Sequence, residues 1–195
     1  MLQNSSRLRC DLEQGPDSII LCKFVAMNLN YGQILPGDFA DDSRVWIYQC
    51  NRLFTLSEVL EVETLLEEFV NDWNSHGTPV KGFASVFFGQ FIVLMADETA
   101  SGVSGCSTDN SVRLIKEIEK RFSVSLFDRQ LLAFVIKDKI QLIPLSQLNY
   151  AFDNGFMDLD TLYVNNTVLN KTEMKDNWII PVKNSWLRKR LAVKP

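Results

Sequence analysis

The sequence predicts an α+β fold, in which a mixed, mostly antiparallel sheet of about five to six strands is covered by about four helices. Three observations lead to this prediction. Apolar segments that read as hairpins alternate with segments of helical periodicity. No glycine-rich fingerprint follows the first strand, which disfavours a doubly wound sheet. The chain of 195 residues is 46% hydrophobic, enough to form the core of a single domain.

Composition excludes several classes of function. The net charge of −4 argues against a nucleic-acid-binding protein, for which a basic domain is expected. No apolar run reaches the ~20 residues that span a bilayer, so no membrane partner is expected and the cytoplasm is the predicted location. Four cysteines without a CxxC pair, together with the single histidine His76, match no zinc ligand pattern. Residues 1–34 are expected to be a poorly ordered extension, and residues 35–195 the folded domain.

The first strand and helix have clear local signals. Arg44–Cys50 is rich in β-branched and aromatic residues and predicts a strand. Thr55 and Glu58 form the pattern of a capping box, which starts a helix with one buried stripe. Gly77 is expected to provide the C-cap of that helix. The stripe consists of Val59, Val62, Leu66, Phe69 and Trp73.

Two hairpins are predicted further along the chain. Lys81–Phe88 and Phe91–Ala96 form the first, with the second strand central because it is apolar throughout. Leu131–Ile136 and Lys139–Ile143 form the second.

The remaining elements are shorter. A second helix is expected to begin at Val112 after caps at Asp109, Asn110 and Ser111. Ser146 is expected to cap a short helix that ends before Asn154-Gly155. A short strand at Thr161–Val164 and a final helix complete the prediction.

The segment Phe91–Ser111 is the most informative for function. An apolar strand ends in Asp97 and Glu98, a loop of small residues follows, and a helix begins. Strand, small-residue loop and helix start form an arrangement in which backbone N–H groups point at an anion or a reacting group. The segment therefore predicts a functional loop at residues 97–111.

The first hypothesis for this loop is catalytic. A thiolate is favoured near a helix N-terminus, so Cys106 is a candidate nucleophile of a hydrolase or transferase. His76 is the available base, and Asp109 could orient its imidazole. Against this reading, the nearby Asp97 and Glu98 would raise the pKa of the thiol. A small buried residue at position 106 is the structural alternative.

The second hypothesis is ligand binding without chemistry. The loop resembles a backbone nest that holds phosphate or carboxylate, with Arg129 adding positive charge. Because Asp97 and Glu98 would repel an anion, a Mg²⁺ ion held by these two carboxylates is the alternative considered, and the sequence identifies no other cofactor. The candidate ligand-binding residues are Ser104, Gly105, Ser107, Thr108, Ser111 and Arg129.

A protein-interaction module is the third class of function. Trp186 lies beside the basic run Arg188–Arg190 and is expected near the surface, where it could dock a protein partner or seal the base of the domain. The partner is therefore predicted to be an unidentified small molecule or protein.

Three motifs resemble an uncharacterised family of small bacterial proteins. They are RVWIYQ at Arg44–Gln49, W-x-x-H-G at Trp73–Gly77, and DE followed by SGCS-x-D-x-S within Asp97–Ser111. The resemblance covers roughly residues 35–191. Members are sometimes labelled ABC transporter ATPases, but this chain lacks the GxxxxGK[ST] loop that such an ATPase needs to hold its phosphates. The resemblance implies a family and no mechanism.

Overall fold

Helices and antiparallel strands alternate along the chain. The computed structural model describes residues 29–75, 77–99 and 105–191, with side chains from residue 108 onward in the last range. Its α-helices are α1 (Leu56–Asp72), α2 (Gly105–Phe122), α3 (Leu148–Asp153) and α4 (Lys171–Asn177). Its strands are β1 (Arg44–Gln49), β2 (Asn74–Ser75), β3 (Thr78–Pro79), β4 (Lys81–Phe87), β5 (Phe91–Asp97), β6 (Leu131–Ile136), β7 (Lys139–Pro144), β8 (Leu162–Val164) and β9 (Ile179–Pro181). The predicted α+β class is confirmed.

The described strands form three antiparallel sheets. Sheet 1 has the order β1-β5-β4, and sheet 2 has the order β7-β6-β8-β9. The strands β2 and β3 form a separate two-stranded ribbon. Every residue of β5 is buried, as its apolar sequence predicts for a central strand.

Both predicted hairpins are confirmed. The first joins β4 to β5, with Lys81 opposite Asp97. The second joins β6 to β7 through Lys137 and Asp138, which have φ values of 52° and 58°. Positive φ at both central residues is the geometry of a tight hairpin turn.

Helix α1 begins as predicted and ends earlier than predicted. The Thr55 side chain accepts a hydrogen bond from the Glu58 N–H, and the Glu58 carboxylate accepts one from the Thr55 N–H, which completes the capping box. The predicted C-cap at Gly77 is wrong, because the C-cap is Trp73 in an extended conformation. Gly77 instead lies between β2 and β3 with φ of 81°, which a glycine adopts readily.

Helix α2 begins at Gly105 and not at Val112. The predicted caps at Asp109, Asn110 and Ser111 are therefore wrong, since these residues lie inside the helix. Ser111 is buried there, and its hydroxyl donates to the Thr108 carbonyl at 2.7 Å. This bond to the preceding turn satisfies a serine within a helix, so the polar residues do not interrupt α2.

The C-terminal part of the chain differs from the prediction in one strand and in one helix cap. The strand β9 pairs with β8 at the sheet edge. The N-cap of α3 is Gln147, and a 3₁₀ turn at Leu145–Gln147 precedes it, so the predicted cap at Ser146 is wrong. The final helix is present as α4.

A core of aromatic side chains joins the two larger sheets. Trp178 is completely buried, and its ring lies 5.4 Å from that of Phe87 and 5.7 Å from that of Phe91. Tyr31 also packs on Trp178, with the ring centroids 4.8 Å apart, and its hydroxyl donates to the Met174 carbonyl at 3.0 Å.

Because residues 1–28 lie outside the described ranges, the domain boundary at residue 35 stays a prediction.

The other face of sheet 1 packs on α1 and α2. Ile92 and Leu94 of β5 share a buried cluster with Leu66 of α1 and with Ile115 and Ile118 of α2. Sheet 1 therefore has helices on one face and the Trp178 core on the other, which leaves the outer edge of β1 between two packed layers.

In the part of the chain that the structure describes, no helix is both long and apolar enough to cross a membrane.

Candidate functional site

A cavity of about 340 Å³ lies along the outer edge of β1, and we name it the β1 cleft. The N-terminal half of α2 and residues 126–129 form one side, and β6, β8 and a 3₁₀ turn at Trp186–Lys189 form the other. Its aromatic lining residues are Trp46, Tyr48, Phe127, Tyr163 and Trp186. Its polar lining residues are Gln49, Thr108, Asp128, Arg129, Asn166 and Thr167.

The Tyr48 ring forms the wall on the α2 side. It packs edge-on against Phe127, with the ring centroids 5.5 Å apart. Burial raises the pKa of the Tyr48 phenol, while a hydrogen bond with the Ser111 side chain and the charge of Arg129 oppose that shift. Tyr48 therefore lies near Ser111 of α2 and in the field of the Arg129 cation.

Trp186 forms the opposite wall and is 39% exposed. Burial raises the pKa of Tyr163, and a hydrogen bond with Trp186 opposes that shift. The Arg190 guanidinium lies 5.7 Å from the centroid of the Trp186 ring. The partly exposed indole of Trp186 therefore has a buried phenol and an outer cation as neighbours.

The floor of the β1 cleft is a chain of hydrogen bonds between the two larger sheets. The Gln49 amide donates to the Leu131 carbonyl at 2.9 Å, and its oxygen accepts from the Asn166 amide at 2.9 Å. The Asn166 oxygen accepts in turn from the Trp178 indole at 3.1 Å. Because each amide uses both its donor and its acceptor, the polar floor is rigid as well as satisfied.

Among the residues that the structure describes, Arg129 and Asp128 are the charged ones that line the β1 cleft. Asp128 accepts a hydrogen bond from the Gln130 N–H at 2.8 Å, which uses part of its carboxylate in a local turn. Arg129 forms no ion pair with any acidic side chain of residues 29–75, 77–99 or 108–191. Its guanidinium is therefore available to bind an acidic group of a ligand.

Several predicted ligand-binding residues meet at the β1 cleft. Thr108 and Arg129 line it, and Ser111 lies close to the Tyr48 side chain. Gly105 and Ser107 lie in the first turn of α2, but the described residues include only the backbone there, and Ser104 lies outside the described ranges.

The predicted catalytic pair cannot be placed. His76 and the side chain of Cys106 lie outside the described part of the chain, although the backbone of residue 106 is in the first turn of α2. Asp109 is exposed on the same helix. The pairing of Lys81 with Asp97 places the start of β4 and the end of β5 at the same end of sheet 1. The nucleophile hypothesis stays a prediction.

Asp97 has an internal structural role. Its Oδ1 accepts from the N–H and the hydroxyl of Thr99, and its Oδ2 accepts from the Lys81 ammonium at 3.1 Å and the Ala40 N–H at 3.3 Å. The bonds from Thr99 and then Lys81 hold the pKa of Asp97 well below its ordinary value. Glu98 pairs with Arg44 at 3.6 Å.

These contacts bear on the predicted magnesium site. Both oxygens of Asp97 are already used by protein donors, so an ion would have to displace Lys81. Among the described residues, no three His, Cys, Asp or Glu side chains are grouped as metal ligands. The Mg²⁺ site at Asp97 and Glu98 stays a prediction that these contacts do not favour.

The aromatic walls of the cleft were not predicted as a site. Trp46 and Tyr48 alternate along β1 and therefore point to one face, which is a signal that the sequence contains. Phe127 and Trp186 come from distant segments, and only Trp186 was expected near the surface.

Two other cavities, of about 330 Å³ and 360 Å³, lie between α1 and α2 and beside α3, and neither combines aromatic walls with Arg129.

Comparisons with known proteins found no family model, no curated protein and no solved structure that matches this chain. The suspected family therefore stays an expectation that depends on the three sequence motifs, and the function has to be argued from the β1 cleft.

Proposed function

We propose that this protein binds a ligand in the β1 cleft and that the ligand combines an apolar or aromatic body with an acidic group. The observation that supports this most is the meeting of Arg129 with four partly exposed aromatic side chains around one cavity. The aromatic rings would cover the body of the ligand, and the guanidinium would bind its acidic group.

The dimensions and composition of the cleft agree with this proposal. Its volume of about 340 Å³ lies within the 300–1,000 Å³ range of small-ligand pockets. Such pockets are mostly apolar with a few fixed polar groups. Asn166 and Gln49 supply such groups, since their hydrogen bonds with Trp178 and Leu131 hold their orientation.

The charge of Arg129 favours an anionic group over a neutral one. A guanidinium binds carboxylate or phosphate in bidentate geometry, and it stays charged at every physiological pH. The N-terminal half of α2 lies on the same side of the cleft, and the positive end of its dipole adds to this preference.

The proposal can be tested with 8-anilinonaphthalene-1-sulfonate, which has an aromatic body and one anionic group. The full-length protein should bind it saturably at one site, as measured by the rise in dye fluorescence during titration. The substitution Arg129→Gln should raise the Kd about fivefold, because it removes one charged hydrogen-bonding partner at a half-open site.

Arg188→Gln is the matched control. It removes the same charge from an exposed arginine in the 3₁₀ turn that carries Trp186, and Arg188 is not among the residues that line the cleft. Its Kd should equal that of the wild type. Non-saturable binding by the wild type, or equal affinity of the Arg129→Gln variant, would refute the proposal.

A further inference from the structure

The outer edge of β1 is made of the peptide groups of its odd-numbered residues. Cys50 donates to the Gln90 carbonyl at 2.8 Å, and the same register pairs Tyr48 with Ile92. In an antiparallel pair, the residues of one parity bond to the partner strand and those of the other parity point away. The N–H and C=O groups of Ile47 and Gln49 therefore point away from β5.

Other segments of the chain close this edge at both ends. At one end, Val45 donates to the Leu169 carbonyl and Lys171 donates to the Ser43 carbonyl, both at 2.9 Å. At the other end, Asn51 donates to the Ser125 carbonyl at 3.0 Å. Between these contacts, no backbone group of the described residues pairs with the outward N–H and C=O of Ile47 and Gln49.

The unpaired stretch opens into the β1 cleft, because Ile47 and Gln49 both line it. At the opposite edge of sheet 1, α1 packs against β4, and the Glu63 carboxylate accepts a hydrogen bond from the Val86 N–H at 2.7 Å. An exposed strand edge is a template for pairing with another chain. The described chain leaves the outward backbone groups in the middle of β1 unpaired.

We propose that the ligand of the β1 cleft is a peptide segment in extended conformation, which adds a short strand to β1 at Ile47 and Gln49. This inference depends on the proposed function, since it names the class of ligand for that same cleft. At about 3.3 Å per residue, the open stretch pairs with about three residues of the peptide. An acidic side chain or a terminal carboxylate of the peptide binds Arg129.

The arrangement of donors and acceptors favours a peptide over other acidic ligands. Ile47 and Gln49 each present one N–H and one C=O, two residues apart, which is the repeat that a β-strand matches. Main-chain hydrogen bonds supply affinity in strand addition, while pockets on either side receive alternate side chains. Tyr48 and Phe127 on one side of the edge, and Tyr163 and Trp186 on the other, are the walls of such pockets.

The experiment begins with a displayed library of random hexapeptides, selected on the immobilised full-length protein and eluted with 8-anilinonaphthalene-1-sulfonate. Peptides that the dye elutes occupy the β1 cleft. The best peptide is then synthesised with a single N-methyl group at each amide in turn. We expect methylation of alternate amides to raise the Kd about tenfold or more, because those N–H groups bond to β1. Methylation of the intervening amides should change the Kd less than about twofold.

Two variants test the protein side. Ile47→Pro removes the outward N–H and keeps the ladder to β5 intact, since proline is tolerated where the N–H faces away from the partner strand. Ile47→Val is the matched comparison, because it also shortens the side chain but keeps the N–H. The peptide should bind Ile47→Pro about tenfold more weakly than Ile47→Val, and equal Kd values for the two variants would contradict strand addition.

The outcomes separate this inference from the proposed function. If the dye binds saturably but no peptide is enriched, or if N-methylation has no alternating effect, strand addition is wrong and the proposed function stands. If the wild type does not bind the dye saturably, the proposed function and this inference both fail. The N-methyl series decides the question even if the Ile47→Pro variant does not fold.

Discussion

At the scale of the single residue, Asp97 joins three parts of the chain. Its carboxylate binds the Thr99 turn, the Ala40 N–H and the Lys81 ammonium. Lys81 is also bound to Asp38, through the carboxylate at 3.1 Å. The end of β5, the start of β4 and the segment before β1 are therefore held together by one side chain that is 3% exposed.

The substitution Asp97→Asn should lower Tm by several degrees at pH 7, because an amide cannot accept all four bonds or pair with Lys81. The pKa of Asp97 is lower in the folded than in the unfolded chain. Its contribution to stability is therefore complete above the ordinary carboxyl pKa of 3.8 and is lost as the pH falls toward the folded pKa. The Tm difference between wild type and variant should shrink when thermal melts are compared at pH 7, 4 and 2.5.

Asp42→Asn is the control for this comparison, since Asp42 is exposed and has no ion pair with another described side chain. Its Tm should match that of the wild type at each pH. A Tm difference for Asp97→Asn that stays constant across this range would show that the carboxylate charge contributes nothing.

The sequence identifies Asp97 as a candidate metal ligand, which stays a prediction, while the structure shows a structural role for its carboxylate. An acidic residue directly after a buried strand indicates either a side chain that ligates a metal or one that makes a structural contact. The predicted hairpin already placed Lys81 near this strand end, so the ion pair could have been anticipated. The bond from Ala40 could not, because nothing local indicates where the segment before β1 passes.

At the scale of the elements, α1 and β4 meet at Gly82. A Cβ atom at this position would lie 2.7 Å from the Trp73 ring, closer than real Cβ contacts allow. Trp73 is buried and packs against Phe69, with ring centroids 4.9 Å apart, and against Trp46, at 6.1 Å. An added methyl group at position 82 would therefore have to displace a ring that these two contacts hold in place.

Gly82→Ala should lower the free energy of unfolding by about 1–3 kcal/mol, the usual cost of forcing extra volume into a packed core. Urea denaturation followed by circular dichroism measures this change. Gly32→Ala is the matched control, since no atom lies within 4 Å of a Cβ built there, and its stability should not fall. Equal stability of the Gly82→Ala variant and the wild type would mean that α1 is not held tightly against β4.

The elements that the sequence predicted well are those with local signals. The capping box at Thr55 and Glu58 and both hairpins involve residues close together in the chain. The start of α2 was wrong because Ser111 normally favours a cap, and only its bond to Thr108 inside the helix shows otherwise. The three-residue strand β9 was missed because α4 lies between it and β8, so no hairpin turn indicates their pairing.

At the scale of the whole molecule, the β1 cleft lies where the two larger sheets meet. The Trp178 core holds them together, and the hydrogen bonds from Trp178 through Asn166 to Gln49 form the cleft floor. The sequence could suggest Thr108 and Arg129 as ligand-binding residues, since both lie near the predicted loop and helix. It could not bring Trp46 and Trp186 to the same cavity, because that requires the packing of sheet 1 on sheet 2.

If the Trp178 core holds the cleft in shape, a substitution in this core should alter the Kd of a ligand even though the substituted residue does not contact that ligand. Trp178→Phe keeps an aromatic ring but removes the indole N–H that Asn166 accepts. It should lower the free energy of unfolding by about 1–3 kcal/mol and raise the Kd for 8-anilinonaphthalene-1-sulfonate at least about twofold, because the Asn166 amide loses one of its two fixed partners. Phe54→Leu is the control, since Phe54 is also buried but packs against Phe122, and neither residue lines the cleft. It should reduce stability while leaving the Kd unchanged. If both variants lose stability and neither changes the Kd, the shape of the cleft does not depend on the Trp178 core.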